Sequence, residues 1–370
     1  MAFANDRNVS NQPKRNDAEP DLTPWLVARL ACPWDGQPLQ QRGANTLACS
    51  CGRSFPIIDG VPILLRDDVT HELGVVRHSI DVSRNPDAAN PVGPASPGAN
   101  AGIDGYVQDI ISATNGIMYA GLVRNLSEYP IPTLRLPPAR GAVFVDIGCN
   151  WGRWCIAAAR LGYTAVGVDP QIEAVRAASR VARQLGVKAA FVCADARYLP
   201  FVDEVADVVF SYSVLQHLPK HDVERALADF RRVLVPGGRS LVQMPNVFGL
   251  RNLYHQVRRR GVIRDFDVRY WTPAELRARF GTLIGPSSLS ADGFFNLNPQ
   301  PSEAHLLPRR YRAVVAVSEA LRAASGRAPA LTKFADSIYV TSTKPGPGAV
   351  VIPSEATSRR RPDRGMPLPG

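Results

Sequence analysis

Three aspartates stand at the ends of successive apolar runs: Asp146 closes "AVFVD", Asp169 closes "TAVGVD" and Asp195 follows "FVCAD". A carboxylate at the end of a strand can accept hydrogen bonds from a ligand held at the carboxyl edge of a sheet. The first aspartate leads into "IGCNWGRW", a turn that carries Gly148, Asn150 and Gly152. A strand, such a turn and a helix present backbone N–H groups and a positive helix end to that ligand. The dinucleotide pattern G-x-G-x-x-G needs a third glycine where Arg153 stands, so the pyrophosphate fingerprint fails. Asn150 can take a glycine-like place, because asparagine tolerates left-handed backbone better than most residues. Three carboxylates would repel a pyrophosphate but suit a ligand with a sulfonium and an ammonium and no phosphate. Asp169 is placed to reach two ribose hydroxyls, Asp195 to accept from an adenine amino group, and Asp146 to face an amino-acid end through the turn. The charge pattern points to S-adenosylmethionine.

A second set of residues suggests a metal. Cys32 and Asp35 in "CPWD", with Cys49 and Cys51 in "CSC", outline two knuckles about fourteen residues apart. A regular zinc ribbon has C-x-x-C twice, whereas here an aspartate replaces one cysteine and the second knuckle is shortened. Zinc held by three cysteines and an aspartate is one expectation. A ribbon held by its hydrophobic residues alone is the other. Cys149, Cys155 and Cys193 fall inside apolar segments and read as core fillers.

The elements that must position these residues follow from periodicity. Strands are expected over 142–147, 164–169, 189–193, 205–211 and 238–244, and helices over 151–161, 170–185 and 221–234. Continuous apolar strands separated by helices imply a parallel sheet covered on both faces, an α/β fold. Helices near 248–261, 272–280 and 307–324 follow, with strand candidates "SSLSADGFF" and "ADSIYVTST". Ahead of the sheet, 104–126 has helical spacing. The expected organisation is a disordered leader over 1–21, a ribbon-like module over 22–66, a flexible linker over 67–103, the large domain over 104–343 and a disordered tail over 344–370. The chain has 370 residues, 45% of them hydrophobic, and a formal charge of +10. No apolar run reaches a membrane span and the N-terminus lacks the apolar core of a signal peptide, so the expected location is cytoplasmic. The basic residues are spread out or lie in the tail, which reads as solvated surface more than as a nucleic-acid patch.

Taken in order, "VFVDIGCNWGRW", "AVGVDP", "CADARYLPF", "DVVFSYSVLQHL" and "RRVLVPGGRSLVQMP" resemble the successive motifs of class I S-adenosylmethionine-dependent methyltransferases over roughly 104–343. The resemblance implies a Rossmann-like seven-stranded sheet whose last strand, within 335–343, runs antiparallel. It implies that Asp146, Gly148, Asn150 and Gly152 line the methionine part of the cofactor, that Asp169 binds ribose, and that Asp195 with Ala196 holds adenine. Ser211 and Tyr212 would lie under the cofactor, and Tyr106 would close over it. His217, in "SVLQHL", is the candidate base for a hydroxyl acceptor, with packing against the substrate or capping a helix as its other role. Gln243, Asn246, Arg251, Tyr254, His255, Tyr270 and Trp271 are acceptor-facing candidates; the same residues could instead cap and pack the later helices. The N-terminal module resembles the small zinc-ribbon-like domain that accompanies several RNA and protein methyltransferases and is also fused to small-molecule ones.

The resulting expectation is methyl transfer to a small-molecule or glycan-type acceptor, at oxygen. Its support includes the absence of an NPPY-type amide clamp after the fourth strand. The alternative is an RNA methyltransferase that uses the ribbon and the basic surface to hold RNA. A third class is a non-catalytic subunit, against which the intact acidic residues speak.

Overall fold

Thr23 accepts a hydrogen bond from the Leu26 amide and Pro24 fills the first turn, so "TPWL" opens a helix, α1 (Pro24–Val27), as its capping residues dictate. A computed structural model describes residues 22–71, 74–86, 102–259, 267–295, 298–346 and 348. The leader over 1–21 and nearly all of the tail beyond 344 therefore lie outside the described residues. After α1, four short strands, β1 (Gln40–Gln41), β2 (Thr46–Ala48), β3 (Ser54–Ile58) and β4 (Val61–Pro62), form an antiparallel sheet in sequence order.

This module packs against the large sheet. Leu64 N donates to Cys193 O, Ala31 N to Pro200 O and Val202 N to Arg29 O, so the module pairs its backbone with the edge of the large sheet. Leu26, Leu30, Leu47 and Leu64 share one apolar cluster with Val166, Val192, Leu199 and Phe201. Part of the expected linker is also structured: Gly74–Arg84 is a helix, α2, that buries Val76 and Ile80, and its Ser79 hydroxyl accepts from Ile172 N. Two buried aliphatics and a serine per eleven residues make too sparse a stripe to stand out beside a Pro- and Gly-rich segment. The helical spacing over 104–126 resolves into α3 (Gly105–Asn115) and a 3-10 turn at Ile117–Leu122, separated by Gly116 at φ +99°.

The large sheet uses β5 (Val143–Ile147), β6 (Thr164–Asp169), β7 (Ala189–Cys193), β8 (Ala206–Ser211), β9 (Leu234–Pro245), β10 (Ser287–Gly293) and β11 (Ser337–Thr343), in the order β7-β6-β5-β8-β9-β11-β10. Only β11 runs against its neighbours. Phe144 and Val145, adjacent on β5, belong to different apolar clusters, one per face. On the Phe144 face lie α4 (Arg153–Arg160) and α5 (Ile172–Gln184), and on the Val145 face α6 (Lys220–Val233) and α8 (Pro273–Leu283). Two further helices, α7 (Leu250–Arg259) and α9 (Arg309–Ser325), complete the carboxyl-terminal half. This is the Rossmann-like, seven-stranded fold with helices on both faces. Among the described residues, no helix is long and apolar enough to cross a membrane.

Candidate active site and candidate metal centre

The turn after β5 holds its shape through three left-handed residues, Gly148 (φ +75°), Asn150 (φ +46°) and Gly152 (φ +82°). Asn150 does occupy a glycine-like conformation, and its side-chain oxygen accepts from Trp151 N at 2.9 Å. At Gly148 a Cβ would stand 2.2 Å from a Val214 methyl, so the close approach of β5 and the loop after β8 depends on that glycine. Together these loops line a cavity of about 500 Å³ at the carboxyl edge of β5, β6, β7 and β8. That volume falls within the usual range for a small-molecule site.

Asp169 lines this cavity and is almost fully buried. Its two oxygens accept from Asn150 N and Gln171 N, each at 3.0 Å, which leaves a lone pair on each for a ligand. Burial pushes its carboxyl up to about 6, against the pull of those two amides. At the neighbouring strand end Asp195 behaves in the opposite way. Burial alone would raise it, but His71 at 3.5 Å and the Arg197 guanidinium at 2.7 Å hold it well below the usual carboxylate range. Arg197 also reaches Asp222 and the Thr70 carbonyl, so the segment just after the ribbon module meets α6 at this end of the cavity.

The other end is built around Arg153, the residue that breaks the dinucleotide pattern. Its guanidinium lies over the rings of Trp154 and Tyr212, 3.8 Å from the fully buried Glu303, and its Nη1 has no hydrogen-bond partner. Glu303 in turn accepts from the Tyr119 hydroxyl at 2.6 Å, and burial raises its carboxyl. Behind Tyr212 runs a chain of buried polar contacts: Tyr212 and Ser337 both donate to Asp292, and Gln243 donates to Ser337.

Of the residues singled out from the sequence, Gly148, Asn150, Asp169, Asp195, Ala196, Tyr212 and His217 share the cavity wall. Asp146, Gly152 and Ser211 lie beneath it. Asp146 takes the Cys155 thiol at 3.5 Å, and burial pushes it up to about 7. Gly152 packs under Phe191, and Ser211 donates to Ile147 O. Tyr106 is hydrogen-bonded to the Asn150 side chain. The acceptor-facing candidates do not line the cavity. Gln243 is spent on Ser337, and Asn246 ties the carbonyls of Lys333 and Ala335. Arg251 and His255 contact each other on the outside of α7. Tyr270 precedes Trp271, whose backbone pairs with Asn246. Gln243 and Asn246 thus tie β9 and the turn after it to β11 and the segment before it. Residues not singled out do contribute, among them Arg153, Trp154, His71, Val75, Val76 and Asn298. A buried arginine beside the turn was the one signal available in the sequence.

His217 ends a 3-10 turn, Leu215–His217, at the cavity wall. Gln216 Nε2 stands 3.2 Å from its ring Nε2, and Arg269 donates to its backbone carbonyl, so the residue is fixed at both its side chain and its backbone.

In the ribbon module, Cys32, Asp35, Cys49 and Cys51 converge, with all four ligand atoms within 4.8 Å of one another. Cys32 Sγ lies 4.0 Å from Cys51 Sγ, and Cys49 Sγ lies 3.5 Å from both Asp35 oxygens. A tetrahedron with ~2.3 Å metal–sulfur bonds has edges of roughly 3.7 Å, so the donor set fits a zinc ion.

A second cavity, of about 520 Å³, lies beside Arg135, Arg239 and Arg322, but no glycine turn or strand-end carboxylate faces it.

Comparison with known proteins finds methyltransferases. Residues 144–238, from β5 to the start of β9, match the family model described as a methyltransferase domain. That match spans about a quarter of the chain, and the order of fold elements and motifs is that of class I S-adenosylmethionine-dependent methyltransferases. Among curated proteins, the ubiquinone biosynthesis O-methyltransferase of Rhizobium etli is 32% identical over 101 residues, 27% of this chain and 40% of that one. That of Brucella ovis is 31% identical over 109 residues, 30% of this chain and 43% of that one. The matches thus span less than half the length of these relatives. A solved S-adenosylmethionine-dependent methyltransferase of Methanosarcina mazei aligns over 60% of this chain and 100% of its own, with 20% identity and a TM-score of 0.39.

Proposed function

We propose that this chain transfers a methyl group from S-adenosylmethionine to a hydroxyl of a small polar or glycan-type acceptor. The observation that carries the reading is the cavity itself: within one small-molecule-sized space it joins a left-handed glycine–asparagine turn, two strand-end carboxylates and a buried guanidinium whose Nη1 makes no hydrogen bond. Asp169 accepts the two ribose hydroxyls with its open lone pairs. Ala196 and the Asp195 region flank adenine, where Arg197 and His71 keep Asp195 ionised and fixed in place. Arg153 supplies the cation for the α-carboxylate at the turn. When bound, the cofactor supplies an activated methyl on a sulfonium, and the protein aligns acceptor, methyl and sulfur. His217 then takes the proton of the acceptor hydroxyl.

The test of this last role is kinetic. With saturating cofactor, His217→Ala should lower kcat about a hundredfold or more and abolish the acidic limb of the kcat profile. Unchanged turnover would remove the histidine from the chemistry. Incubation with labelled cofactor and fractionated extract identifies the acceptor class. Label entering RNA, with binding that falls steeply with salt, would favour the RNA alternative over a small molecule.

The cysteine cluster supports structural zinc held by Cys32, Asp35, Cys49 and Cys51. One zinc per chain is expected after exchange into metal-free buffer, and Cys49→Ser should lose it and lower the unfolding midpoint. A folded parent protein without zinc would leave the module to its hydrophobic residues.

A further inference from the structure

Helix α7 is packed inside out. Its inward face is polar: Asn252 donates to the carbonyls of Asn246 and Asp336, Gln256 donates to Val247 O, and Asp336 accepts from the Arg251 and Asn252 amides at the helix start. Its outward face is apolar. Leu250, Leu253, Tyr254 and Val257, spaced i, i+3, i+4 and i+7, are each more than half exposed, and Val257 reaches 73%. Phe248 just before the helix, and Phe334, next to the Lys333 carbonyl that Asn246 holds, are exposed as well. Six of the nine large apolar side chains exposed among the described residues thus gather around this one helix. Scattered exposure needs no cause, whereas a contiguous stripe marks a contact surface.

The charge around the stripe selects the partner. From Leu234 to Arg264 the sequence contains no aspartate or glutamate, while Arg251 and Arg258 flank the stripe and Lys333 stands exposed beside it. An apolar stripe bordered by arginines on a helix too short and too polar to span is the pattern of a helix lying in the interfacial plane of a bilayer with acidic headgroups. We propose that α7 docks this protein on an anionic lipid surface. The helix follows β9, whose carboxyl end lies at the same sheet edge as the cavity. The inference stands apart from the proposed chemistry, because lipid binding is read without turnover.

The test is sedimentation of the full chain with vesicles of equal parts phosphatidylglycerol and phosphatidylcholine, and with vesicles of phosphatidylcholine alone. Binding to the first and not to the second, weakened by salt, is the expected result. The double variant Leu253→Glu/Val257→Glu should lower the partition coefficient about tenfold or more while keeping the parent's circular dichroism and cofactor affinity. A second variant, Arg258→Glu, should weaken binding through charge alone. The proposal is overturned if the chain sediments with neither vesicle, or if the double variant binds as well as the parent. It is equally overturned if the stripe is found to hold two copies of the chain together without lipid, seen as a dimer that the double variant converts to a monomer.

Discussion

Replacing Arg153 with methionine is expected to weaken S-adenosylmethionine binding about a hundredfold and to destabilise the fold by roughly 2–3 kcal/mol. The two losses have different causes. Affinity falls because the buried Nη1, which makes no hydrogen bond and stands 3.8 Å from its ion-pair partner Glu303, is the cation available to a ligand carboxylate at the glycine turn. Stability falls because Glu303 is left buried with only the Tyr119 hydroxyl to compensate it. The second variant in the cycle separates these effects: Glu303→Gln added to Arg153→Met should recover most of the stability and none of the affinity. Burial already raises the Glu303 carboxyl, and loss of the guanidinium raises it further. A group raised in the folded state stabilises while protonated and loses that contribution as pH rises through its folded pKa. The deficit of Arg153→Met should therefore be larger at pH 8 than at pH 5. Urea denaturation and calorimetric titration read the two quantities, and affinity restored in the double variant would refute the carboxylate role.

The second large effect is at Asp169. Asp169→Asn should cost about a hundredfold in cofactor affinity, because a charged acceptor of two hydroxyls becomes a neutral one with a single oxygen. In the unliganded protein burial holds this carboxyl at about 6. Ribose donors favour the ionised form, so binding should release a proton near that pH and affinity should rise with pH through it. If only the carboxylate binds, affinity at pH 5 is about tenfold below that at neutral pH. Titrations across this range should show the slope in the parent protein and a flat response in Asp169→Asn. A slope that persists in the variant would place the titrating group elsewhere.

The parallel sheet was legible because its strands are continuous apolar runs, and the cofactor edge was legible because Asp169 and Asp195 end two of them. The acceptor side was not, and the reason is physical. Asn246 looked like an acceptor contact, but its amide is occupied by the backbone carbonyls of Lys333 and Ala335, more than eighty residues away. On α7 the usual inference, polar out and apolar in, inverts. The arginine at the turn read first as a missing glycine. Its partners Glu303 and Tyr119 lie 150 residues after it and 34 before it, beyond any local pattern. Helix α2 stayed hidden because only Val76 and Ile80 mark its buried face.

The seat of the ribbon module on β7 also sets a timetable. Its residues leave the ribosome before Cys193 and Phe201, the positions they pair with, have been made. The module must wait through the synthesis of β5 and β6 before it can dock. When β7 appears, its outer edge, an exposed strand that could otherwise pair with another chain, already has its cover synthesised and tethered nearby. A chain without those first residues would translate the same sheet with that edge bare, so its yield as aggregate, not its catalytic rate, would be the first thing to change.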